Sequence, residues 1–315
     1  MKKISIVTPC YNEEGNVTVL YQQVKEVFDK LSYRYTYEHI FIDNVSKDNT
    51  RQELLGIAKQ DKNVKLIFNA VNAGHIRSPF YALQQAKGDA VMLMVADLQD
   101  PPELIPQFLE QWEQGHMVVV GIKNKSKENP LMYAVRTMFY KFIKKISETE
   151  QIENFTGFGL YDQSFINILR QIHDPYPYLR GLVAEYGDNI AQIYFTQPKR
   201  LYGKTSNNFY RLYDIAMLGF VNHSKVPLRM ASFLGFACSA VSMLIALVYF
   251  IYKLFYWDSF QVGQAPLVIG MFFFASVQLF FLGMVGEYVG SILTQVRQRP
   301  LVIEKERINF DDDES

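Results

Sequence analysis

Ala90-Val91-Met92-Leu93-Met94-Val95-Ala96-Asp97-Leu98-Gln99-Asp100-Pro101-Pro102-Glu103 carries an unbroken apolar run straight into a group of carboxylates and a proline pair. The run reads as a strand, and the prolines suit the first turn of a following helix. The acids therefore stand where a strand reaches the rim of its sheet, a costly place for idle charge. Outward from this stretch, residues 4–8, 39–43, 64–68 and 117–121 repeat the short apolar pattern, and 16–31, 49–60, 76–86 and 102–114 show amphipathic helical spacing. That rhythm predicts an open α/β sheet. Ligands in such sheets bind at the carboxyl ends of the strands, which gathers Pro9-Cys10-Tyr11-Asn12-Glu13, Asp43-Asn44, residues 72–75 and Asp97 to Asp100 onto one expected rim.

Beyond residue 121 the rhythm changes. Residues 131–146 read as a helix, 154–162 as a Gly-containing turn and strand, and 190–196 as one more strand. Residues 202–225 mix basic and aromatic side chains (Tyr202, Lys204, Phe209, Tyr210, Arg211, Tyr213), which suits helices lying among lipid headgroups. Two charge-free apolar runs follow, 231–252 and 259–286. A helix rises about 1.5 Å per residue and must cross roughly 30 Å of hydrocarbon, so each run is long enough to span a bilayer. The expected organisation is a domain over 1–200, interfacial helices over 201–229, a transmembrane hairpin over 230–290 with helices near 230–253 and 263–287, and a tail over 291–315.

The chain has 315 residues, with 32 Lys and Arg balanced by 32 Asp and Glu, so net charge argues against nucleic acid as a partner. Lys225 and Arg229 precede the first run and Arg297 and Arg299 follow the second. The positive-inside bias then places the domain and both termini in the cytoplasm, on a multi-pass protein of the inner or plasma membrane. Cys10 lies in the first strand and Cys238 within a span, neither placed for a disulfide or a metal.

Taken alone, the rim acids leave alternatives. Asp97 and Asp100 either hold a divalent cation against a diphosphate or cap the helix near Pro102. Asp43 either accepts hydrogen bonds from a nucleotide or closes an Asx turn. Arg180, Arg200 and Lys204 grip phosphates or attract anionic headgroups. His75 reads as a residue packed within its turn.

Val7-Thr8-Pro9-Cys10-Tyr11-Asn12-Glu13-Glu14, Asp43, Asn72-Ala73-Gly74-His75 and Asp97 to Glu103 together resemble the family 2 glycosyltransferases of GT-A fold. More narrowly, the chain is similar to the polyprenyl-phosphate glycosyltransferases, a likeness that extends to Gly286-Glu287-Tyr288-Val289-Gly290 and Arg299-Pro300-Leu301. The resemblance implies an inverting transfer of one sugar from a nucleotide-sugar donor to a polyprenyl phosphate such as undecaprenyl phosphate, in cell-envelope polysaccharide or lipopolysaccharide modification. It implies Pro9, Tyr11, Glu13 and Asp43 as the nucleotide pocket, Asp97 as the acid of a D-x-D metal motif holding Mg²⁺ or Mn²⁺, Gln99 and Asp100 beside the reacting groups, and a homo-tetramer by analogy.

Three positions depart from that pattern. Asn44 stands where the family has a second acid, Val95 where D-x-D begins, and Gly157 and Gly159 where Asp and Arg are common. A single carboxylate can still hold Mg²⁺ when diphosphate and water complete its shell. The departures also motivate a second reading, a transferase scaffold without turnover that binds nucleotide or lipid and regulates a polysaccharide pathway. A processive polysaccharide synthase is disfavoured, since neither Trp112 nor Trp257 follows an Arg as its Q-x-x-R-W motif requires. Gly203-Lys204-Thr205 lacks the first glycine of a P-loop, and Gly157-Phe158-Gly159 lacks the third small residue of a dinucleotide fingerprint.

Overall fold

The computed structural model describes residues 1–124, 152–198, scattered positions between 233 and 255, and residues 264–297 and 299–310. In chain order these hold β1 (Lys2–Cys10), α1 (Asn16–Leu31), β2 (Tyr35–Asp43), α2 (Thr50–Gln60), β3 (Val64–Asn69), α3 (Gly74–Gln85) and β4 (Ala90–Leu93). A 3-10 turn (Pro102–Leu104) leads into α4 (Ile105–Glu113), followed by β5 (Val118–Lys123), β6 (Phe155–Asp162), α5 (Gln163–Gln171), α6 (Leu179–Tyr186), β7 (Ile190–Phe195), α7 (Gln264–Val296) and β8 (Glu304–Ile308).

The strands form one open sheet in the order β7-β5-β6-β4-β1-β2-β3-β8. It is mixed: β4, β1, β2 and β3 run parallel, whereas β6 is antiparallel to both β4 and β5, and β8 is antiparallel to β3. Alternation along each strand assigns the layers. Ile40 and Ile42 of β2 pack with Phe80 and Leu83 of α3 and Phe165 and Leu169 of α5. Phe41 between them meets Val17 of α1 and Leu54 and Ile57 of α2. Ile4, Ile6 and Met92 join Leu20, Val24 and Phe28 of α1 to Phe108 and Leu109 of α4.

One charged group is built into the sheet. Glu38 of β2, 1% exposed, accepts from Ser5 Oγ at 2.6 Å and from the Lys87 N–H at 3.1 Å. Its carboxylate also pairs with Lys3 Nζ at 2.7 Å and Lys65 Nζ at 2.9 Å, from the neighbouring strands. Burial works against the ionised form, but the bonds from Lys3, Ser5, Lys65 and Lys87 outweigh it and hold the pKa down at about 2.

The chain divides into two compact units, the sheet with its helices and a second that contains α7. Phe273–Gly290 within α7 is long and apolar enough to cross a membrane by length and composition. The expected helix over 131–146 and the interfacial stretch over 202–225 lie outside the described residues. So does the first apolar run as a continuous element, although its described positions are helical. After α7 the chain rejoins the first unit: β8 pairs with β3, Glu306 meets Arg51 of α2, and Asn309 Nδ2 donates to the Ala58 and Val64 carbonyls, each at 2.8 Å.

Candidate active site

Strand order reverses at β1: β2 and β3 lie on one side of it and β4 on the other. The carboxyl ends of β1 and β4 therefore flank the crevice where open α/β sheets take ligands. Cys10 and Asp43 are in register at the ends of β1 and β2, and Asp97 follows β4.

Two loops at this rim are laced together by side-chain bonds to backbone N–H groups. Asn12 N–H donates to Ser46 Oγ at 2.9 Å and Lys47 N–H to Asn12 Oδ1 at 2.8 Å. Glu13 N–H donates to Thr50 Oγ1 at 2.8 Å, Glu14 N–H to Asp48 at 3.1 Å, and Gly15 N–H to Glu53 at 3.0 Å. The acids Asp48 and Glu53 thus hold the loop after β1 in place. Glu13 accepts from Asn16 Nδ2 at 2.7 Å, and Tyr11 stands 41% exposed at the strand end. Pro9 lies opposite Ile42.

Asp43 is buried, and Ser46 donates to its carboxylate from both Oγ and N–H, the latter at 3.2 Å. Burial raises its pKa, an effect opposed by the Ser46 bonds and the Arg51 charge. The side chain thus closes the loop three residues on.

β4 ends at Leu93, earlier than its apolar run, because the next residues wrap around a buried carboxyl. Asp100 Oδ2 accepts the Val95 N–H at 3.0 Å, Asp97 Oδ1 accepts the Gln99 N–H at 3.1 Å, and Leu98 between them has φ 59°. Burial pushes the Asp100 pKa up to about 7, opposed by the Val95 N–H and by Lys123 and reinforced by Asp97. Gln99 Nε2 donates to the Pro198 carbonyl at 3.5 Å.

The last residue of β5 is a functional candidate that the sequence reading missed. Lys123 is half-buried; desolvation lowers its pKa, Asp100 and Asp97 oppose that, and Arg180 adds to it. Arg180, at the start of α6, donates to the Phe155 carbonyl at 3.4 Å and lies over the Tyr178 ring at 5.0 Å. Asp97, Asp100, Lys123 and Arg180 thus form one electrostatic group. The signal for Lys123 was a cation closing a strand of the same sheet, a position the strand assigned to 117–121 stopped short of. Arg200 and Lys204 lie outside the described residues.

Gly157 and Gly159 have steric reasons to lack side chains. Gly157 has φ 106°, and a Cβ on Gly159 would meet the Val119 carbonyl oxygen at 2.8 Å and the Tyr161 hydroxyl at 3.2 Å. Tyr161 Oη donates to the Gly157 carbonyl at 2.7 Å. Gly159→Ala is expected to destabilise the sheet by about 1–3 kcal/mol, read as a lower thermal midpoint of the purified protein.

For a divalent cation, no group of three or more His, Cys, Asp or Glu side chains able to hold the ion exists among the described residues. The donor set fits an ion that brings its own ligands: Mg²⁺ typically uses one or two carboxylates and completes its shell with water and substrate phosphates.

The glycosyl transferase family 2 model matches residues 5–187. Among curated proteins, the chain is 32% identical to the uncharacterized glycosyltransferase YkcC of Bacillus subtilis (strain 168), over 95% of this chain and 92% of that protein. It is 31% identical to the SfII prophage-derived bactoprenol glucosyl transferase of Shigella flexneri, over 96% of this chain and 97% of that protein. Among solved structures, glucosyl-3-phosphoglycerate synthase from Mycobacterium tuberculosis, in complex with uridine diphosphate, is 15% identical with a TM-score of 0.49, covering 70% of this chain and 78% of its own. With a family match that begins in β1 and ends just past α6, the chain belongs to glycosyl transferase family 2.

Proposed function

We propose that this protein moves one sugar from a nucleotide-sugar donor to the phosphate of a polyprenyl lipid at the cytoplasmic face of the membrane, with inversion at the anomeric carbon. The observation that carries the reading is the pairing of a rim lined by Asp43 and Asp97 with near full-length similarity to a bactoprenol glucosyl transferase. The acceptor is a phosphate monoester with a second pKa of about 6, so at neutral pH its oxygen is already an anionic nucleophile and needs little help from a base. That oxygen attacks the anomeric carbon, a new C–O bond forms on one face, and the bond to the diphosphate breaks on the other. The electron pair leaves with the nucleoside diphosphate.

Positioning and charge neutralisation then supply most of the barrier reduction. Asp43 and the loop carrying Tyr11 and Glu13 bind the nucleoside, and Lys123 and Arg180 offset phosphate charge. Burial raises the pKa of Asp100, which eases its repulsion beside Asp97. A divalent cation held by Asp97 would supply Lewis-acid neutralisation of the diphosphate.

The strand β8 supports the two-span reading, with spans near 230–253 and 263–287. Residues on both sides of α7 belong to one sheet, so they share one side of any bilayer. A crossing by α7 must then be matched by another between 199 and 263, the stretch that carries the first apolar run.

The test incubates the purified full-length protein and undecaprenyl phosphate with a panel of nucleotide sugars and reads lipid masses. A lipid gaining one hexose-type increment with one donor is the expected result. Binding of nucleotide with no product from any donor would instead favour the regulatory reading that Asn44 and Val95 motivate.

A further inference from the structure

The turn leaving β3 is held at two points, and the second is made by the residue where this chain lacks the family's usual acid. At the first, the Ala70 N–H donates to the Ile303 carbonyl at 2.7 Å. At the second, Asn44 makes four bonds. Its Oδ1 accepts the Ala73 N–H at 2.8 Å and Asn69 Nδ2 at 3.0 Å, and its Nδ2 donates to Asn72 Oδ1 at 2.9 Å and to the Gly74 carbonyl at 3.3 Å.

Backbone groups fix which way this amide points. It faces an N–H donor on one side and a carbonyl acceptor on the other, so neither a flipped amide nor a carboxylate satisfies both. Asn72 cannot compensate by turning over, because its Oδ1 also accepts the Gly74 N–H at 2.9 Å. Asn44 is 7% exposed, and its own N–H donates to the Cys10 carbonyl at 3.0 Å. The next residue, Val45, has φ 67°, a costly conformation for a β-branched side chain. This strained corner lets Asp43 bond to Ser46 while Asn44 bonds to the turn after β3.

We infer that Asn44 is a positioning residue: its amide fixes residues 72–74 and the start of α3 against Asp43, and here a carboxylate at the same position disrupts the crevice. The inference rests on the proposed reading of that crevice as a nucleotide site. An ionised Asp at 44 would aim a charged oxygen at Asn72 Oδ1 and the Gly74 carbonyl. Protonated, the same side chain again offers one acceptor and one donor, as the amide does. Asp43 precedes Asn44 on β2 and Cys10 lies in register with Asp43 on β1, with Asp48 and Arg51 acting on Asp43, and His75 follows Gly74 at the start of α3. The partners from β3 and its turn, Asn69, Asn72, Ala73 and Gly74, carry no charge.

The experiment compares wild type, Asn44→Asp and Asn44→Ala in the full-length protein, following amide exchange at Ala73 and Gly74 and binding of a panel of uridine, guanosine, cytidine, adenosine and thymidine diphosphates. Relative to wild type at the same pH, Asn44→Asp should exchange these two amides at least about tenfold faster at pH 8 and approach wild type at pH 5. Asn44→Ala should be fast at both. Exchange in β1 should be unchanged, which separates a moved turn from a lost fold. Nucleoside diphosphate affinity should fall about tenfold at pH 8 and recover at pH 5 only in the Asp variant. Wild-type exchange in Asn44→Asp at pH 8, or a displaced turn with undiminished nucleotide affinity, would overturn the inference. Failure of wild type to bind any nucleotide would instead defeat the reading of the crevice, while the exchange data still decide whether Asn44 holds the turn.

Discussion

Asp97→Ala is expected to lower sugar transfer about a thousand-fold, measured as the rate of lipid-linked product formation at saturating donor. Asp97, in the turn that follows β4, is 7% exposed, and its carboxylate is oriented by the Gln99 N–H. Removing one preorganised charge-stabilising group commonly costs about a hundred- to a thousand-fold in kcat. The upper end is expected here because Val95 stands where a second acid of the motif would share the load. The loss should fall on kcat, with nucleoside affinity changing less. Chelation of divalent cations should abolish wild-type turnover and leave the residual rate of Asp97→Ala unaffected. Unchanged rates under both treatments would remove Asp97 from any metal role.

Glu38→Gln is expected to cost about 3–5 kcal/mol, because it leaves Lys65 buried in the sheet without its counter-charge. The Lys65 side chain is 9% exposed, whereas Lys3 is 38% exposed and its pair adds little. A reversible denaturant titration of the purified protein would read this as a lower midpoint at unchanged slope. Replacing Glu38 and Lys65 together by apolar residues of similar volume should cost less than either change alone. The pH dependence has a definite sign. A carboxylate whose pKa is depressed on folding stabilises above its unfolded value and loses that contribution as pH falls through its folded value. With the folded pKa at about 2 and the ordinary value at 4.5, the gap between wild type and Glu38→Gln should be full above about pH 5 and shrink towards pH 2. A gap that stayed constant across that window would show that the pKa of Glu38 is not depressed on folding.

Local chemistry explains which parts of this architecture could be read from the chain. Strands β1 to β3 were legible because their apolar runs end in turn residues. The overshoot at β4 arose because Met94 and Ala96 are buried although they lie in a turn wound around Asp100. Helix α5 went unread although Asp162 caps it, accepting the Ser164 N–H at 2.8 Å, and Phe165, Ile166 and Leu169 share its inner face. Strand β8 offered no apolar alternation: Glu304-Lys305-Glu306-Arg307 suits a sheet edge, where charge discourages further pairing. Its partners, Arg51, Tyr81 and Gln85, are remote in sequence. Lys123 and the bonds of Asn44 were hidden for the same reason, since no spacing rule reports which strands become neighbours.

The return of β8 makes the stretch that carries the two apolar runs an insertion within a single sheet rather than an appendage at its end. A shortened version of this enzyme that keeps the sheet whole should therefore excise that stretch and splice the chain on to residues 299–310. Simple shortening would strip β3 of its outer neighbour, release the Ala70 N–H from Ile303, and bare a hydrogen-bonding edge to other copies.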